Sequence, residues 1–324
     1  MPLATSAELY VGMQANPNSR VYHYHLDYTA PVESVVSYVA NTGNLLSVAG
    51  NSIRSLILLA SDNIIAGSWN SPVADIVSST MAIQGSLSFS GGGSNAISGV
   101  HAGCVLPNGN VIIGDQYNSH ANNINEYTVS GAFVRSVYQP SQALGISNPY
   151  PGMTNCVAVS ASNIIMVIAD TWTIQNTKAI QLTLSEGSWN VTHQFSMTNF
   201  DTLQGTSGSS IWSLALGRDG YVYFPPMRRA TGQLQKLIKC PSSDITENKC
   251  ELVGDIIPES TLNSSNYTTF TYAVVQIPDT DDLLVALYYR LYRYNAASGA
   301  YMLVHSFSDE LPIDTFAPRA MVIR

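Results

Sequence analysis

Arg54, His101 and Arg319 are the side chains whose chemistry and spacing most suggest a reaction. A guanidinium or an imidazole held in a largely apolar pocket can polarise a carbonyl or stabilise an oxygen that gains negative charge. Arg54 and His101 each stand five residues ahead of a repeated hydrophobic anchor, and Arg319 stands four ahead of another. Equivalent placement in successive repeats means that the fold must bring them to one place.

The repeat itself is a hydrophobic–turn–hydrophobic signature. It reads Leu59-Ala-Ser-Asp-Asn-Ile-Ile65, Leu106-Pro-Asn-Gly-Asn-Val-Ile112, Val159-Ser-Ala-Ser-Asn-Ile-Ile165, Leu216-Gly-Arg-Asp-Gly-Tyr-Val222 and Ile277-Pro-Asp-Thr-Asp-Asp-Leu283. A half-made copy, Ala320-Met-Val-Ile323, ends the chain. The intervals of 47, 53, 57, 61 and 46 residues suit four-stranded propeller blades with loops of variable length. The strands flanking each signature, such as Ile164-Ile-Met-Val-Ile-Ala169, are apolar on both faces, as inner strands packed between blades must be. Segments such as Ala179-Ile-Gln-Leu-Thr-Leu184 and Tyr301-Met-Leu-Val-His305 alternate, which marks outer strands. The expectation is an all-β, six-bladed β-propeller occupying 1–324 as one domain. Its last blade is closed by the C-terminal strand together with Leu9–Gly12, Arg20–Leu26 and Val35–Val39.

In this topology the starts of the innermost strands and the loops after the second strands ring one mouth of a central channel. Counting back four residues from each anchor gives Ser55, Ala102, Asn155, Trp212, Ala273 and Arg319; one earlier gives Arg54, His101, Thr154, Ile211, Tyr272 and Pro318. The returning loops add Trp69, Asp115 to Tyr117, Asp170 to Trp172, Met227 to Arg229, Tyr288 to Arg290, and Met13 with Gln14. Arg54, His101 and Arg319 are therefore the candidate catalytic residues. Trp69, Tyr117, Asn155, Trp172, Trp212, Met227, Arg228, Tyr272 and Tyr289 are the candidate substrate-binding set. Asp115 and Asp170 are read chiefly as loop caps, with a catalytic pair as the alternative. His23 and His25 share one strand face and are read as surface histidines, and Asp279, Asp281 and Asp282 as a solvated turn.

Composition narrows the partners. The net charge is −8 with 45% hydrophobic and 11% charged residues, and no Lys/Arg-rich run offers itself to phosphates. Nucleic acid is not an expected partner, and no apolar stretch is long enough to insert as a spanning helix. A hydrophobic small molecule is. The opening Met1-Pro-Leu-Ala-Thr-Ser is too short and polar for a signal peptide, so the chain is cytosolic or follows a signal already removed. Scarce lysine, the sequons at Asn190, Asn263 and Asn266, and the Cys240/Cys250 pair favour the secretory pathway or the extracellular space. Cys240 and Cys250 can close a disulfide across a hairpin, whereas Cys104 and Cys156 are read as small buried core residues.

The repeat form resembles the six-bladed superfamily of gluconolactonases, senescence-marker proteins, strictosidine synthases and NHL-type propellers. In the lactonases of that group, Glu, Asn and Asp at the inner-strand starts hold a divalent cation; here only Asn155 matches, so neither a metal nor another cofactor is expected. With its six blades, few lysines, possible glycosylation and aromatic mouth, the chain also looks like the fungal propellers of natural-product pathways. These include the hetero-Diels–Alderases that join a quinone methide to a terpene on the way to tropolone sesquiterpenoids. That resemblance implies a metal-independent cyclase in secondary metabolism, with Arg or His on the carbonyl and Trp69, Trp172, Trp212, Tyr272 and Met227 around the terpene. The alternatives are a metal-dependent lactonase-like hydrolase and a secreted, non-catalytic ligand-binding propeller. A repeat lectin would carry the same residue in each loop, whereas Trp69, Tyr117, Trp172, Arg228 and Tyr289 differ.

Overall fold

A computed structural model describes residues 5–13, 19–29, 35–45, 53–68, 71–115, 123–140, 151–170, 177–196, 210–227, 236–257, 271–287, 290–307 and 318–324. They form six four-stranded antiparallel sheets. Blade one comprises Ile53–Leu58, Ile64–Ser68, Ser71–Val77 and Ile83–Ser88; blade two, Ala102–Val105, Val111–Gly114, Ile124–Tyr127 and Phe133–Tyr138. Blade three comprises Pro151–Ser160, Asn163–Asp170, Lys178–Ser185 and Ser188–Ser196. Blade four has Ala215–Leu216, Tyr221–Phe224, Leu237–Pro241 and Glu251–Val253, extended by a short pairing of Ser210–Ile211 with Pro226–Met227. Blade five comprises Thr271–Gln276, Leu283–Leu287, Arg290–Tyr294 and Tyr301–Ser306. Blade six is assembled from both chain ends, with Pro318–Ile323 innermost, followed by Ser6–Met13, Arg20–Asp27 and Val36–Asn41.

The first strand of each blade touches the first strand of the next, and Pro318–Ile323 touches both Thr271–Gln276 and Ile53–Leu58, so the ring is closed. The chain folds as the six-bladed propeller its repeats imply.

Four of the five signature turns carry a left-handed residue: Asp62, Gly109, Gly220 and Asp279. Leu59 N–H donates to Asn63 O at 2.8 Å, and Asp62, at φ 64°, donates to Leu59 O at 3.0 Å. Leu106 and Asn110 repeat the pattern with Gly109 at φ 87°, where the missing Cβ makes that conformation inexpensive. Behind each turn the second strand is wholly buried in blades one, two and five. Six groups of buried apolar side chains result, one between each pair of neighbouring blades. Stability thus resides in blade-to-blade contact, and no blade buries its faces alone.

Two disulfides are present. Cys240–Cys250 closes the outer hairpin of blade four, with Cα atoms 4.2 Å apart. Cys104–Cys156, with Cα atoms 5.6 Å apart, links the innermost strands of blades two and three, so these cysteines are not simple core fillers. The expectation missed this bond because 52 residues separate the partners and only ring closure sets the strands side by side. The register contains the reason it can form. Cys104 stands two residues before its anchor and Cys156 three before its own. Alternate strand residues face opposite ways, so this odd offset turns Cys104 forward and Cys156 back into one shared cluster. Two disulfides fit an oxidising, secreted setting. No helix among the described residues is long and apolar enough to cross a membrane.

At the ring closure, Glu8 N–H and C=O bond to Arg324 O and N at 3.0 and 2.9 Å. The Glu8 carboxylate meets His23 Nε2 at 2.5 Å and His25 Nδ1 at 2.9 Å across the first two strands of the N-terminal hairpin. His23 also stacks on Tyr10, with ring centroids 4.7 Å apart. The two histidines are thus a clasp on one carboxylate and not bare surface residues. Asp282 likewise leaves the solvated-turn reading, because it pairs with Arg293 at 2.7 Å.

Candidate functional site at the strand-start mouth of the channel

The aligned strand starts converge. Arg54, Ser55, His101, Ala102, Thr154, Asn155, Trp212 and Ala273 line one niche of about 50 Å³ at the strand-start end of the channel. The one-per-blade spacing of the anchors brings them together, since each innermost strand enters the ring at the same height.

Several of these side chains stitch neighbouring blades. Ser55 Oγ donates to Val100 O at 2.9 Å, joining blade one to the approach to blade two. His101 Nδ1 lies 3.0 Å from Met153 O, joining blades two and three. Asn155 Nδ2 donates to Ser213 Oγ at 2.9 Å, and Val274 N–H donates to the same oxygen at 3.1 Å, joining blades three, four and five. Ser213 was not among the expected site residues. Its signal in the sequence is a small polar residue one step beyond the aligned position, in the break between Ile211 and Ala215.

These bonds constrain the chemistry. A carbonyl oxygen only accepts, so His101 Nδ1 carries the proton and the neutral ring presents Nε2 as an acceptor. His101 therefore donates to a substrate oxygen only when it is imidazolium. Asn155 lines the niche with both ends of its amide engaged, because Oδ1 also accepts from Cys156 N–H at 2.7 Å. Thr154 Oγ1 is turned to Val167 O at 3.4 Å. The Trp212 indole N–H is buried and has no acceptor among the described residues.

Asp115 is buried and accepts from Ser98 N–H at 2.8 Å and from Ser98 Oγ. This is the geometry of a loop cap, and Asp115 does not line the niche. Asp170 pairs with Pro151 in the blade-three sheet, and its side chain lies outside the described residues. Met13 ends a strand and is fully buried. Arg319 and Tyr272 fall at the starts of their innermost strands, and Met227 pairs with Ser210; the side chains of all three lie outside the described residues. Trp69, Tyr117, Trp172, Arg228 and Tyr289 also lie outside them.

The channel widens towards the opposite, signature-turn end into a funnel of about 380 Å³. Leu56, Gly103, Asn155, Val274 and Met321 belong to both spaces and form the waist between them.

No family model and no curated protein sequence matches the chain. Among solved structures it is similar in fold to a protein of unknown function from Bacteroides caccae, at 10% identity and a TM-score of 0.60 over 98% of each chain. A chain of the nidogen–laminin complex is also similar, at 10% identity and a TM-score of 0.58 over 98% of each chain. A candidate 6-phosphogluconolactonase from Bacteroides fragilis NCTC 9343 aligns at 10% identity with a TM-score of 0.53, over 99% of this chain and 98% of that one. At these identities the likeness is one of fold. A candidate lactonase is among these neighbours, and a chain of the nidogen–laminin complex is another.

Proposed function

We propose that this propeller is a metal-independent enzyme acting on a hydrophobic small molecule at the strand-start mouth. Its most concrete form is a cyclase of the intermolecular hetero-Diels–Alder type that joins a quinone methide to a terpene. The observation that carries this reading is that Arg54 and His101, from adjacent blades, line one small niche. A space of about 50 Å³ admits a carbonyl head and not a terpene. The hydrocarbon then rests against Trp212 and towards the mouth, where Trp69, Tyr117, Trp172, Met227, Arg228, Tyr272, Tyr289 and Arg319 are the candidates to hold it.

In the proposed step the Arg54 guanidinium donates to the quinone methide oxygen and draws electron density from its exocyclic carbon. That carbon bonds to one alkene carbon of the terpene while the oxygen bonds to the other. The ring becomes aromatic, every atom is retained, and no oxidant or proton source is required. Catalysis then consists of holding two partners in a near-attack geometry and polarising one carbonyl. The Trp212 indole N–H gains an acceptor if the substrate oxygen reaches it, removing the cost of a buried, unbonded donor.

The test is to generate an ortho-quinone methide in the presence of humulene and the full chain, and to follow the adduct by chiral LC–MS with and without chelator. One enantiomer should form faster than background in both conditions. Arg54→Met should lower kcat/KM by about a hundredfold or more, the usual scale for loss of a group that stabilises developing charge. A racemic adduct at the background rate would sink the cyclase reading, and loss of activity on chelation would remove metal independence.

A further inference from the structure

We propose that the funnel at the signature-turn end is a second ligand site, distinct from the strand-start niche, and that it takes an uncharged, largely hydrocarbon small molecule bearing one or two hydrogen-bonding groups. Three observations carry this.

The first is size. At about 380 Å³ the funnel falls within the range of small-molecule pockets, whereas the niche is far below it. The five signature turns framing its rim and the terminal Arg324 all belong to the described residues.

The second is the absence of charge in the lining. Aliphatic side chains such as Leu58, Val157, Leu216 and Ile323 make the wall, and Asn155 and Gln276 supply its polar side chains. No ionisable side chain lines it among the described residues. Cys104 and Cys156 are in the wall, but their disulfide removes both thiols. Several charges near the rim pair outside the lining, Asp62 with Arg324, Asp219 with Lys239 and Asp282 with Arg293, and Arg218, Asp279 and Asp281 also stand outside it. A charged ligand would give up its hydration here and meet no counter-charge.

The third is the kind of polarity that remains. Each innermost strand is the end strand of its sheet, paired on its outer side alone. Its other edge offers backbone N–H and C=O groups towards the axis. Such neutral donors and acceptors suit a hydroxyl, ketone, ester or amide on an otherwise apolar body.

The proposal does not depend on the cyclase reading, and its test uses different residues. Two probes share one aromatic framework and differ by a charge: neutral N-phenyl-1-naphthylamine and anionic 1-anilinonaphthalene-8-sulfonate. Titrated into the full chain, the neutral probe should brighten and saturate, and the anionic one should bind at least about tenfold more weakly. Ala158→Phe, which places bulk in the funnel wall, should weaken the neutral probe at least about tenfold, while Arg54→Met at the other end should leave it unchanged. A second measurement avoids the risk that Ala158→Phe folds poorly. Crystals of the unaltered protein soaked in 1-bromonaphthalene should show anomalous bromine density inside the funnel. Equal affinity for the two probes overturns the neutral-ligand assignment. Loss of binding in Arg54→Met, bromine density only elsewhere, or no binding overturns the site.

Discussion

Asn155 Nδ2 lies 2.9 Å from Ser213 Oγ, and through that hydroxyl the innermost strands of blades three, four and five are bound at the waist of the channel. The bond also fixes the position of Asn155 between the niche and the funnel. Asn155 thus serves to join blades.

Ser213→Ala should therefore destabilise the protein out of proportion to the one oxygen it removes. Ser213 is fully buried, and its loss takes the acceptor from both Asn155 Nδ2 and the Val274 N–H. We expect about 1–3 kcal/mol, read as a lower urea midpoint with an unchanged slope. A midpoint within error of the parent would show that the break between Ile211 and Ala215 re-forms its bonds elsewhere.

The two disulfides should differ in worth. Chain entropy gives about 4 kcal/mol for the 52-residue separation of Cys104 and Cys156, and about 2.5–3 kcal/mol for the 10-residue separation of Cys240 and Cys250. Replacing the first pair by alanine should lower stability more than replacing the second, as measured by guanidinium unfolding under non-reducing conditions. Peptide mapping without reduction should recover both cross-links.

Arg135→Ala should be among the more damaging changes outside the channel. Glu126 is buried, with Arg135 Nε at 3.0 Å, and it accepts from Asn110 Nδ2 at 2.6 Å and Trp189 Nε1 at 3.3 Å. Removing the guanidinium strands a carboxylate between blades two and three. The expected loss is about 3–5 kcal/mol in thermal or chemical unfolding. Glu126→Gln, which removes the charge and keeps one amide oxygen as acceptor for Asn110 or Trp189, should cost less.

The clasp on Glu8 in the N-terminal hairpin should be sensitive to acid. Burial pushes the Glu8 carboxyl up, but the hydrogen bonds and charges of His25 and His23 outweigh it and hold the group below its ordinary value of 4.5. A lowered folded pKa means that the stabilisation is present above the unfolded value and is lost as pH falls through the folded one. The difference in urea midpoint between the parent and Glu8→Gln should be present above about pH 4.5 and shrink as pH falls below it. A difference independent of pH would show that the clasp acts by packing alone.

The repeat anchors determined most of the fold. Apolar runs at propeller spacing, the turn within each signature and the half-repeat at the C-terminus were enough to place six blades and join both termini in the last one. They also aligned Arg54, Ser55, His101, Thr154, Asn155 and Trp212 at one mouth, because strand register is a local property that can be counted along the chain. What the side chains do with that proximity was decided by the ring. The Cys104–Cys156 bond and the turning of His101 to Met153 O and of Asn155 to Ser213 join segments distant in sequence. The funnel likewise exists only where six strands converge, since no single strand encloses volume. A linear pattern sets which face a residue takes, but the partner it meets there depends on closure of the ring.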